Sequence, residues 1–426
     1  MPDFDKVTLK VGDSTTELPV IASTQGHSGL DISKLLSETG LSSFDPAFVN
    51  TASTKSAITY IDGDQGILRY RGYPIEQVAE LKSFPESAYL LIYGEFPSLA
   101  ELTEFEKKIS DRTEHIQNLD GFFKAFPKDA HPMAVLSAAV SALSTFFPES
   151  LDPNSEAAIE EATLRLLAMV PVVTAYAHKA SLGEAFVAPR SDLSMVDNFL
   201  NMTFGSNEIP FEQNPIVSKA LDTLLVLHAD HEQNCSTSTV RLVGSSQANL
   251  YASVSAGVNA LSGPLHGGAN EAVIQMLELI HKTSETVETY VERVKNKEDN
   301  VRLMGFGHRV YKSFDPRAQI VKATADQVLS ELGVSDPLLE VAKQLEAIAL
   351  ADDYFVSRKL YPNVDFYTGV IYKALGFPPR MFTPLFAIGR MPGWIAHWRE
   401  MNLEANTRIS RPQQVYVGQA ERSIQI

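Results

Sequence analysis

The chain has 426 residues, enough to bury a large core and to form two or three domains. Hydrophobic residues make up 44% and charged residues 21%, the balance of an ordinary soluble globular protein, and the formal net charge is −16. This acidity argues against a general affinity for nucleic acid or anionic membrane, since both attract basic surfaces. The single cysteine, Cys235, excludes an intramolecular disulfide and fits a reducing compartment.

The N-terminal segment predicts a small β element. Val7, Leu9 and Val11 alternate with polar residues, and a Gly-Asp turn signal follows them. The sequences ITYI and ILRY flank residues 62–66 and predict a hairpin. The N-terminus has neither the apolar core of a secretory signal nor the arginine-rich character of a transit peptide, and no run approaches 18 apolar residues. We therefore expect a cytoplasmic protein without a spanning helix.

From about residue 74 the pattern becomes helical. Apolar residues recur at three- and four-residue steps, and residues 132–147 are apolar nearly all round, as in a helix buried between others. Pro171 interrupts one of these runs and predicts a break or a kink there. Because strand patterns are scarce in this part, we predict a mainly α fold with a small β element at its front.

Loops punctuated by glycine or proline interrupt the helices, and such loops concentrate site residues. His266 lies in LSGPLHGGAN, just before a predicted helix. The positive end of that helix disfavours imidazolium by about 0.3–1 kcal/mol. A neutral imidazole there can donate a hydrogen bond to a carbonyl that is becoming an enolate. The alternative is a histidine that merely caps the helix.

A second loop, MGFGHRVY, holds His308 among cations. Arg302, Arg309, Lys312 and Arg317 fall within 16 residues of an otherwise acidic chain. This density suits a polyanion such as a nucleotide cofactor. The alternative is a solvated basic face, but the interleaved glycines and the histidine favour a functional site.

Asp365 lies in the third loop, YPNVDFYTG, between apolar and aromatic neighbours. Desolvation by these neighbours would make its carboxylate a stronger base, although it could also cap the following helix. Arg390 and Arg411 lie in FAIGR and SRPQ. A buried arginine needs an anionic partner and pairs with carboxylates in a bidentate manner, so the choice is between a carboxylate ligand and a structural ion pair.

His228 and His231 stand three residues apart beside acidic residues, which is compatible with a metal site. The pattern is not HExxH and no third ligand can be named, so we expect no metal. A buried histidine that binds a substrate or a neighbouring helix is the preferred interpretation, and a metal-dependent hydrolase is the alternative. We expect Cys235 to be a small core residue and not a nucleophile.

Together these segments resemble the citrate synthase family. The resemblance runs from about residue 45 to about residue 417 and is carried by long motifs in the family's order. These motifs are FDPAFVNTAS, ITYIDGDQGILRYRGYPIEQ, LHADHEQNCSTSTVR, LSGPLHGGANEAV, VRLMGFGHRVYKSFDPRA, KLYPNVDFYTG and FAIGRMPGWIAHW. The resemblance implies a two-domain helical fold. Its parts would be an N-terminal β extension (1–50), a large helical domain (51–269 plus 376–426) and a small helical domain (270–375) that closes over the active-site cleft.

The resemblance also implies a Claisen-type condensation of acetyl-CoA with oxaloacetate through an enolate, followed by hydrolysis to citrate and CoA, without a cofactor or metal. Asp365 matches the base, His266 the donor to the enolate oxygen, and His308 the group that polarises the ketone. The other matches are His231, Arg317, Arg390 and Arg411 for oxaloacetate, Phe386 for the acyl pocket, Arg302, Arg309 and Lys312 for CoA, and Ser236 as a partner of the enolate-binding histidine.

The family lends the arginine matched by Arg411 across a dimer interface, so a homo-oligomer of at least two chains is implied. The N-terminal β extension resembles a bacterial branch that includes hexameric, NADH-inhibited enzymes, and a hexamer is therefore an alternative. The reactive cysteine of that branch is missing from residues 204–215, and Asp111 and Glu114 flank Arg112 at the matching NADH site. Because acids repel phosphate, we expect weak or absent NADH inhibition.

Two other functions stay open. One is 2-methylcitrate synthase, the same chemistry with propionyl-CoA, which depends on the pocket volume around Phe386. The long β extension favours the citrate-forming reaction. The other is a non-catalytic ligand-binding protein on the same fold, which would lack at least one of His266, His308 and Asp365, whereas all three are present. We expect small-molecule substrates and neither nucleic acid nor membrane as partners.

Overall fold

The computed structural model describes residues 4–283, 286–333, 336–404 and 407–424. They form two compact units, one of residues 1–56 with 410–426 and one of residues 57–409. The predicted division of the helical part at residues 270 and 375 stays a prediction.

The strands are β1 (Lys6–Val11), β2 (Ser14–Ile21), β3 (Gly29–Leu30), β4 (Thr59–Asp62), β5 (Ile67–Tyr70) and β6 (Tyr73–Pro74). The α-helices are α1 (Leu35–Thr39), α2 (Ile75–Leu81), α3 (Phe84–Tyr93), α4 (Leu99–Ser110), α5 (Asn118–Lys124), α6 (Pro132–Leu143), α7 (Glu156–Leu182), α8 (Met195–Phe204), α9 (Pro215–His228), α10 (Cys235–Gly244), α11 (Leu250–Leu261), α12 (Ala269–Thr283), α13 (Val287–Asn296), α14 (Pro316–Glu331), α15 (Pro337–Ala351), α16 (Asp353–Ser357), α17 (Asp365–Ala374) and α18 (Phe382–Leu403). The prediction of a mainly α fold is confirmed.

The strands form two small antiparallel sheets. In the first unit, β1 pairs with β2 and β2 with β3, which confirms the predicted N-terminal β element. In the second unit, β4 and β5 form the predicted hairpin, in which Thr59 pairs with Tyr70 and Asp62 with Ile67. No helix in the described ranges is long and apolar enough to cross a membrane.

Helix α18 lies at the centre of the helical unit, against α3, α7, α9, α10 and α11. Its residues from Phe382 to Trp398 are all buried, as its nearly all-round apolar sequence requires. Gly393 permits a close approach, because a Cβ there would lie 2.4 Å from the Ala229 carbonyl oxygen. The Gly393 N–H donates to that same oxygen (3.1 Å), so α18 is joined directly to the chain that follows α9.

Of the break or kink that was predicted at Pro171, the break does not occur. Helix α7 is 27 residues long, from Glu156 to Leu182, and Pro171 is buried inside it. The helix contacts α4, α6, α8 and α18 along its length. Packing of a long buried helix therefore outweighs the one backbone hydrogen bond that proline removes.

Candidate active site

The candidate site residues lie on segments that meet around α18. The α9–α10 loop (residues 229–234) carries His231, and the turn before α12 carries His266. The segment of residues 301–315, here called the histidine loop, carries His308. Asp365 is the first residue of α17, and α18 carries Phe386 and Arg390.

Buried side chains hold the α9–α10 loop in place through hydrogen bonds. The Tyr70 hydroxyl donates to the Asp230 carbonyl (3.1 Å), and His397 Nε2 lies 3.1 Å from the Asp230 carboxylate. All three side chains are fully buried. This anchoring presents the neighbouring His231 towards the histidine loop, where its Nε2 lies 3.2 Å from the Tyr311 hydroxyl.

His231 and His308 face each other, with ring centroids 5.2 Å apart. The backbone N–H groups of Val310 (3.0 Å) and Tyr311 (3.3 Å) both donate to His308 Nδ1. An imidazole nitrogen that accepts from N–H groups carries no proton, so neutral His308 carries its proton on Nε2. The histidine loop thus gives His308 an Nε2–H that is available as a donor.

His266 has the opposite tautomer. The Ser236 backbone N–H donates to His266 Nε2 (3.3 Å), and the Ser236 hydroxyl lies 2.8 Å from the same nitrogen. Trp394 Nε1 donates to that hydroxyl (3.1 Å) and fixes it in place. Because Nε2 accepts, neutral His266 carries its proton on Nδ1, which can donate to a substrate oxygen.

Both histidines are held neutral. Burial, with the Arg390 cation as the second cause, lowers the pKa of His266 to about 4. Burial also lowers the pKa of His308 to about 4, with Arg317 as the next cause. The helix-dipole argument from sequence gave the right direction for His266, but burial is the largest cause. Near neutral pH both rings are neutral hydrogen-bond donors.

Asp365 carries the opposite shift. Burial raises its pKa to about 6, and the nearby cations Arg317 and Arg390 only partly offset this. The helix begins at Asp365 with Val364 in the capping position, so Asp365 is not its cap. A carboxylate with this pKa is a stronger base than an exposed one and is still ionised near pH 7.

Arg317 and Arg390 are both buried but differ in their partners. Arg317 Nε and Nη2 donate to the Asp315 carboxylate (2.9 and 2.8 Å), which also accepts from the Val364 N–H (3.0 Å). Arg390 is 1% exposed, and its Nε donates to the His228 carbonyl (2.7 Å). Its Nη1 has no hydrogen-bond partner among the described residues. Within the described ranges, Arg390 therefore has no carboxylate partner of the kind that a structural ion pair requires.

The Phe386 ring lies close to His228, His266 and Arg390. Its ring centroid lies 4.6 Å from that of His228 and 6.3 Å from that of His266. The Arg390 guanidinium carbon lies 5.0 Å from the same ring centroid. The Phe386 ring therefore provides an apolar wall between the His266 imidazole and the Arg390 guanidinium.

The remaining predicted residues lie at the margins. Arg302, Arg309 and Lys312 of the histidine loop are exposed, and Lys312 Nζ donates to the Arg309 carbonyl (2.9 Å). Arg411 is exposed and belongs to the other compact unit.

The expectation that Cys235 lies in the core is wrong. Cys235 is exposed at the first position of α10, whose buried residues are Ser236, Thr237, Val240 and Gly244. His228 is fully buried, and its Nδ1 donates to the Leu224 carbonyl (2.7 Å) of its own helix. No group of three or more His, Cys, Asp or Glu side chains placed to hold a metal ion occurs in the described ranges.

Sequence reasoning missed Asp315, Tyr311 and Asn363, although all three lie within the quoted motifs. Asp315 stands two residues before Arg317, and an Asp-Pro pair predicts a helix start with the aspartate as cap. Its side chain does accept from the Arg317 N–H (3.0 Å). That local signal could have identified Asp315, whereas the contacts of Tyr311 and Asn363 join distant segments.

The fold and the site define a mainly α enzyme that combines a carboxylate of raised pKa and two neutral histidines with a buried arginine that has no carboxylate partner in the described ranges. The sequence profile described as "Citrate synthase, C-terminal domain" matches residues 47–413. "Citrate synthase 1" of Mycobacterium tuberculosis is 56% identical over 418 residues, which cover 98% of this chain and 97% of that protein. "Citrate synthase" of Corynebacterium glutamicum is 55% identical over 423 residues, covering 99% of this chain and 97% of that protein.

A solved citrate synthase of the archaeon Thermoplasma acidophilum, in ternary complex with carboxymethyl coenzyme A and oxaloacetate, has a TM-score of 0.79 at 30% identity. The match covers 88% of this chain and 96% of that one. The chain therefore belongs to the citrate synthase family and is an acyltransferase.

Proposed function

We propose that this chain condenses acetyl-CoA with oxaloacetate and hydrolyses the product to citrate and CoA. The observation that carries the proposal is the buried Arg390 guanidinium, whose Nη1 has no partner in the described part of the chain. A buried cation needs an anion, and a dicarboxylate supplies one at about 1.5–3 kcal/mol for each charge-assisted hydrogen bond. The ternary complex of the archaeal relative supports this choice of substrate class.

Proton abstraction is assigned to Asp365 and His266. The α-proton of a thioester is weakly acidic, so a carboxylate alone is a poor base for it. Asp365 takes a methyl proton while His266 Nδ1–H donates to the thioester oxygen, which becomes the enolate oxygen. This division suits a carboxylate with a raised pKa and a histidine held neutral by burial.

Carbon–carbon bond formation is assigned to the histidine loop. His308 Nε2–H donates to the ketone oxygen of oxaloacetate, and the enolate carbon attacks the polarised ketone carbon. The alkoxide that forms on the ketone oxygen takes up one proton, which balances the proton that Asp365 removed from the methyl group, and becomes the hydroxyl of citryl-CoA. His231, Arg317 and Arg390 orient the two carboxylates. Addition of water to the thioester then gives citrate and releases CoA as a thiol.

The outer residues have proposed roles in CoA binding and assembly. The exposed Arg302, Arg309 and Lys312 suit the CoA phosphates. Arg411 would reach a second copy's site, which makes the enzyme at least a dimer, with a hexamer as the alternative. Closure of residues 270–375 over bound oxaloacetate would complete the acetyl-CoA site. We also propose a cytoplasmic location, because a chain with a single cysteine fits a reducing compartment.

Weak or absent NADH inhibition is part of the proposal. Arg112, at the position that matches the NADH site of the inhibited branch, has its Nε and Nη2 donating to Glu161 (2.9 and 2.6 Å). Arg165 is likewise paired with Glu114 and Glu161. Paired arginines attract phosphate less than free ones. Strong inhibition at micromolar NADH would contradict this expectation.

The test is thiol release from acetyl-CoA with and without oxaloacetate, beside the same assay with propionyl-CoA. We expect fast release that needs oxaloacetate and prefers acetyl-CoA. A preference for propionyl-CoA would move the assignment to 2-methylcitrate synthesis and leave the catalytic residues unchanged. No release from either thioester would overturn the proposed reaction.

A further inference from the structure

The histidine loop and the start of α17 are joined by backbone hydrogen bonds. The Gly307 N–H donates to the Tyr361 carbonyl (2.8 Å), and the Asn363 N–H donates to the Gly305 carbonyl (2.9 Å). The two segments therefore run side by side for three residues, immediately before His308 on one side and Asp365 on the other.

The Asn363 side chain adds a second connection. Its Nδ2 donates to the Gly307 carbonyl (2.9 Å), and its Oδ1 accepts from the Asp365 N–H (3.0 Å). One planar amide thus spans the gap between the residue before His308 and the backbone of Asp365. Because the amide is rigid, its two ends cannot move independently.

The fit between the two segments is tight. Gly305 and Gly307 have φ values of +77° and +76°, which other residues rarely adopt. A Cβ at Gly305 would lie 3.0 Å from Phe366 Cα, and one at Gly307 would lie 2.8 Å from the Leu360 side chain. The histidine loop therefore has little room to slide along residues 360–366.

We propose that Asn363 is a positioning residue that fixes the separation of His308 and Asp365, so that ketone activation and proton abstraction occur in register. This inference rests on the proposed roles of those two residues. Both groups must reach their substrates at near-attack distance together, and a misplacement of about 1 Å can cost about 100-fold in rate.

Asn363→Asp is the most informative variant. It keeps the acceptor for the Asp365 N–H, loses the donor to Gly307, and adds a negative charge two residues before the base. The groups that already face the Asp365 carboxylate are Arg317, Asp315, Arg390 and Tyr372. Burial has already raised the pKa of Asp365 to about 6. The new carboxylate raises that pKa further, so the acid limb of kcat/KM moves to higher pH by about one unit.

Asn363→Ala removes both side-chain hydrogen bonds without adding charge. We expect kcat for thiol release to fall by about ten-fold or more, because the reacting groups lose their register. The KM for acetyl-CoA should change by less than about three-fold, since the variant leaves the exposed cations unaltered.

Asn198 provides the matched control. Its Oδ1 accepts from the Arg190 N–H (3.0 Å) and its Nδ2 donates to the Arg190 carbonyl (2.9 Å), so it also ties a loop to a helix through both ends of one amide. It lies on α8, outside the site. Asn198→Asp and Asn198→Ala should lower the melting temperature while leaving the pH profile and kcat of the folded enzyme unchanged.

The measurements are pH profiles of oxaloacetate-dependent thiol release, with melting temperatures for all variants. A shifted acid limb in Asn363→Asp and a lowered kcat in Asn363→Ala, neither seen at Asn198, would support the proposal. If both Asn363 variants keep the wild-type pH profile and the wild-type kcat, the proposal is overturned, even if the variants are less stable. Failure of the proposed function is distinct, because the wild-type chain would then release no thiol, or Asp365→Asn would retain full activity.

Discussion

Asp365 owes its chemical character to burial, because the helix start on which it lies would by itself lower the pKa of a carboxyl group. Burial raises the pKa of its carboxyl to about 6, while burial lowers the pKa of His266 and His308 to about 4 each. An ionised Asp365 and two neutral histidines therefore occur together only above about pH 6. This separation of pKa values supports the proposed roles of Asp365 as base and of the histidines as hydrogen-bond donors.

A pH profile tests this assignment. Asp365 must be ionised to accept a proton, so kcat/KM for acetyl-CoA should rise as pH increases through about 6 and then level off. The histidines should not contribute to this rise, because the pKa values of both imidazolium groups are about 4. The measurement is initial-rate thiol release from pH 5 to pH 8. An acid limb centred near pH 4 would show that Asp365 is not the titrating base.

Sequence reasoning at the residue scale found the residues with unusual chemistry but not those that hold them. His266, His308 and Asp365 stand out because a polar residue lies in a glycine- or proline-rich loop among apolar neighbours. Asn363 does not stand out, because its proposed role rests on a hydrogen bond to Gly307, which lies 56 positions away in the sequence. Cys235 was misjudged for the same reason, since helical phase and tertiary packing decide which face of α10 is buried.

At the scale of elements, hydrophobic periodicity predicted the helices and the β4–β5 hairpin well. It did not decide between a break and a kink at Pro171, where the helix is unbroken, because the burial of α7 on several sides is a tertiary effect that local propensity does not contain. It also could not predict how closely α18 approaches the α9–α10 loop. That approach depends on Gly393, and a lone glycine in a helical pattern has no unique interpretation.

Gly393→Ala tests the close approach of α18. The added Cβ would lie 2.4 Å from the Ala229 carbonyl oxygen, so helix and loop must separate. We expect a loss of about 1–3 kcal/mol in the free energy of unfolding, together with a higher KM for oxaloacetate because His231 moves with the loop. Gly121→Ala on α5 is the control, since no atom lies within 4 Å of its added Cβ. It should be neutral or stabilising by up to about 1 kcal/mol. Equal changes in the free energy of unfolding for Gly393→Ala and Gly121→Ala, measured by chemical denaturation, would contradict the packing argument.

At the scale of the molecule, the acidic composition argues against nucleic acid and membrane as partners, but it does not reveal the candidate site. The net charge of −16 coexists with buried cations at Arg317 and Arg390, which a global charge cannot reveal. The two-domain division at residues 270 and 375, and the oligomer that Arg411 implies, stay predictions. Both concern how domains or chains pack against one another. Such packing depends on surface complementarity, which the local pattern of the sequence does not contain.

Buried histidines should make the whole fold sensitive to acid. Burial lowers the pKa of His228 from 6.5 to about 3. The unfolded chain therefore binds this proton as the pH falls below 6.5 and the folded chain does not, so stability is lost on acidification towards pH 3. Between pH 6 and pH 4 this one histidine should cost about 2 kcal/mol.

His228→Asn isolates this contribution. The Asn amide can still donate to the Leu224 carbonyl, which accepts from His228 Nδ1 in the native chain. Denaturant unfolding at pH 6 and pH 4 should show a smaller loss of stability on acidification in the variant than in the wild-type chain. Identical losses would mean that His228 is protonated in the folded protein.

The most direct test of the central claim is oxaloacetate-dependent thiol release by Asp365→Asn. The variant keeps the size and polarity of the side chain but removes the base, and Asp353→Asn at an exposed position is the control for charge. We predict a loss of at least about 100-fold in kcat for Asp365→Asn, in line with general base catalysis, and wild-type activity for the control. Nearly undiminished condensation by a folded Asp365→Asn enzyme would contradict the assignment of Asp365 as the base.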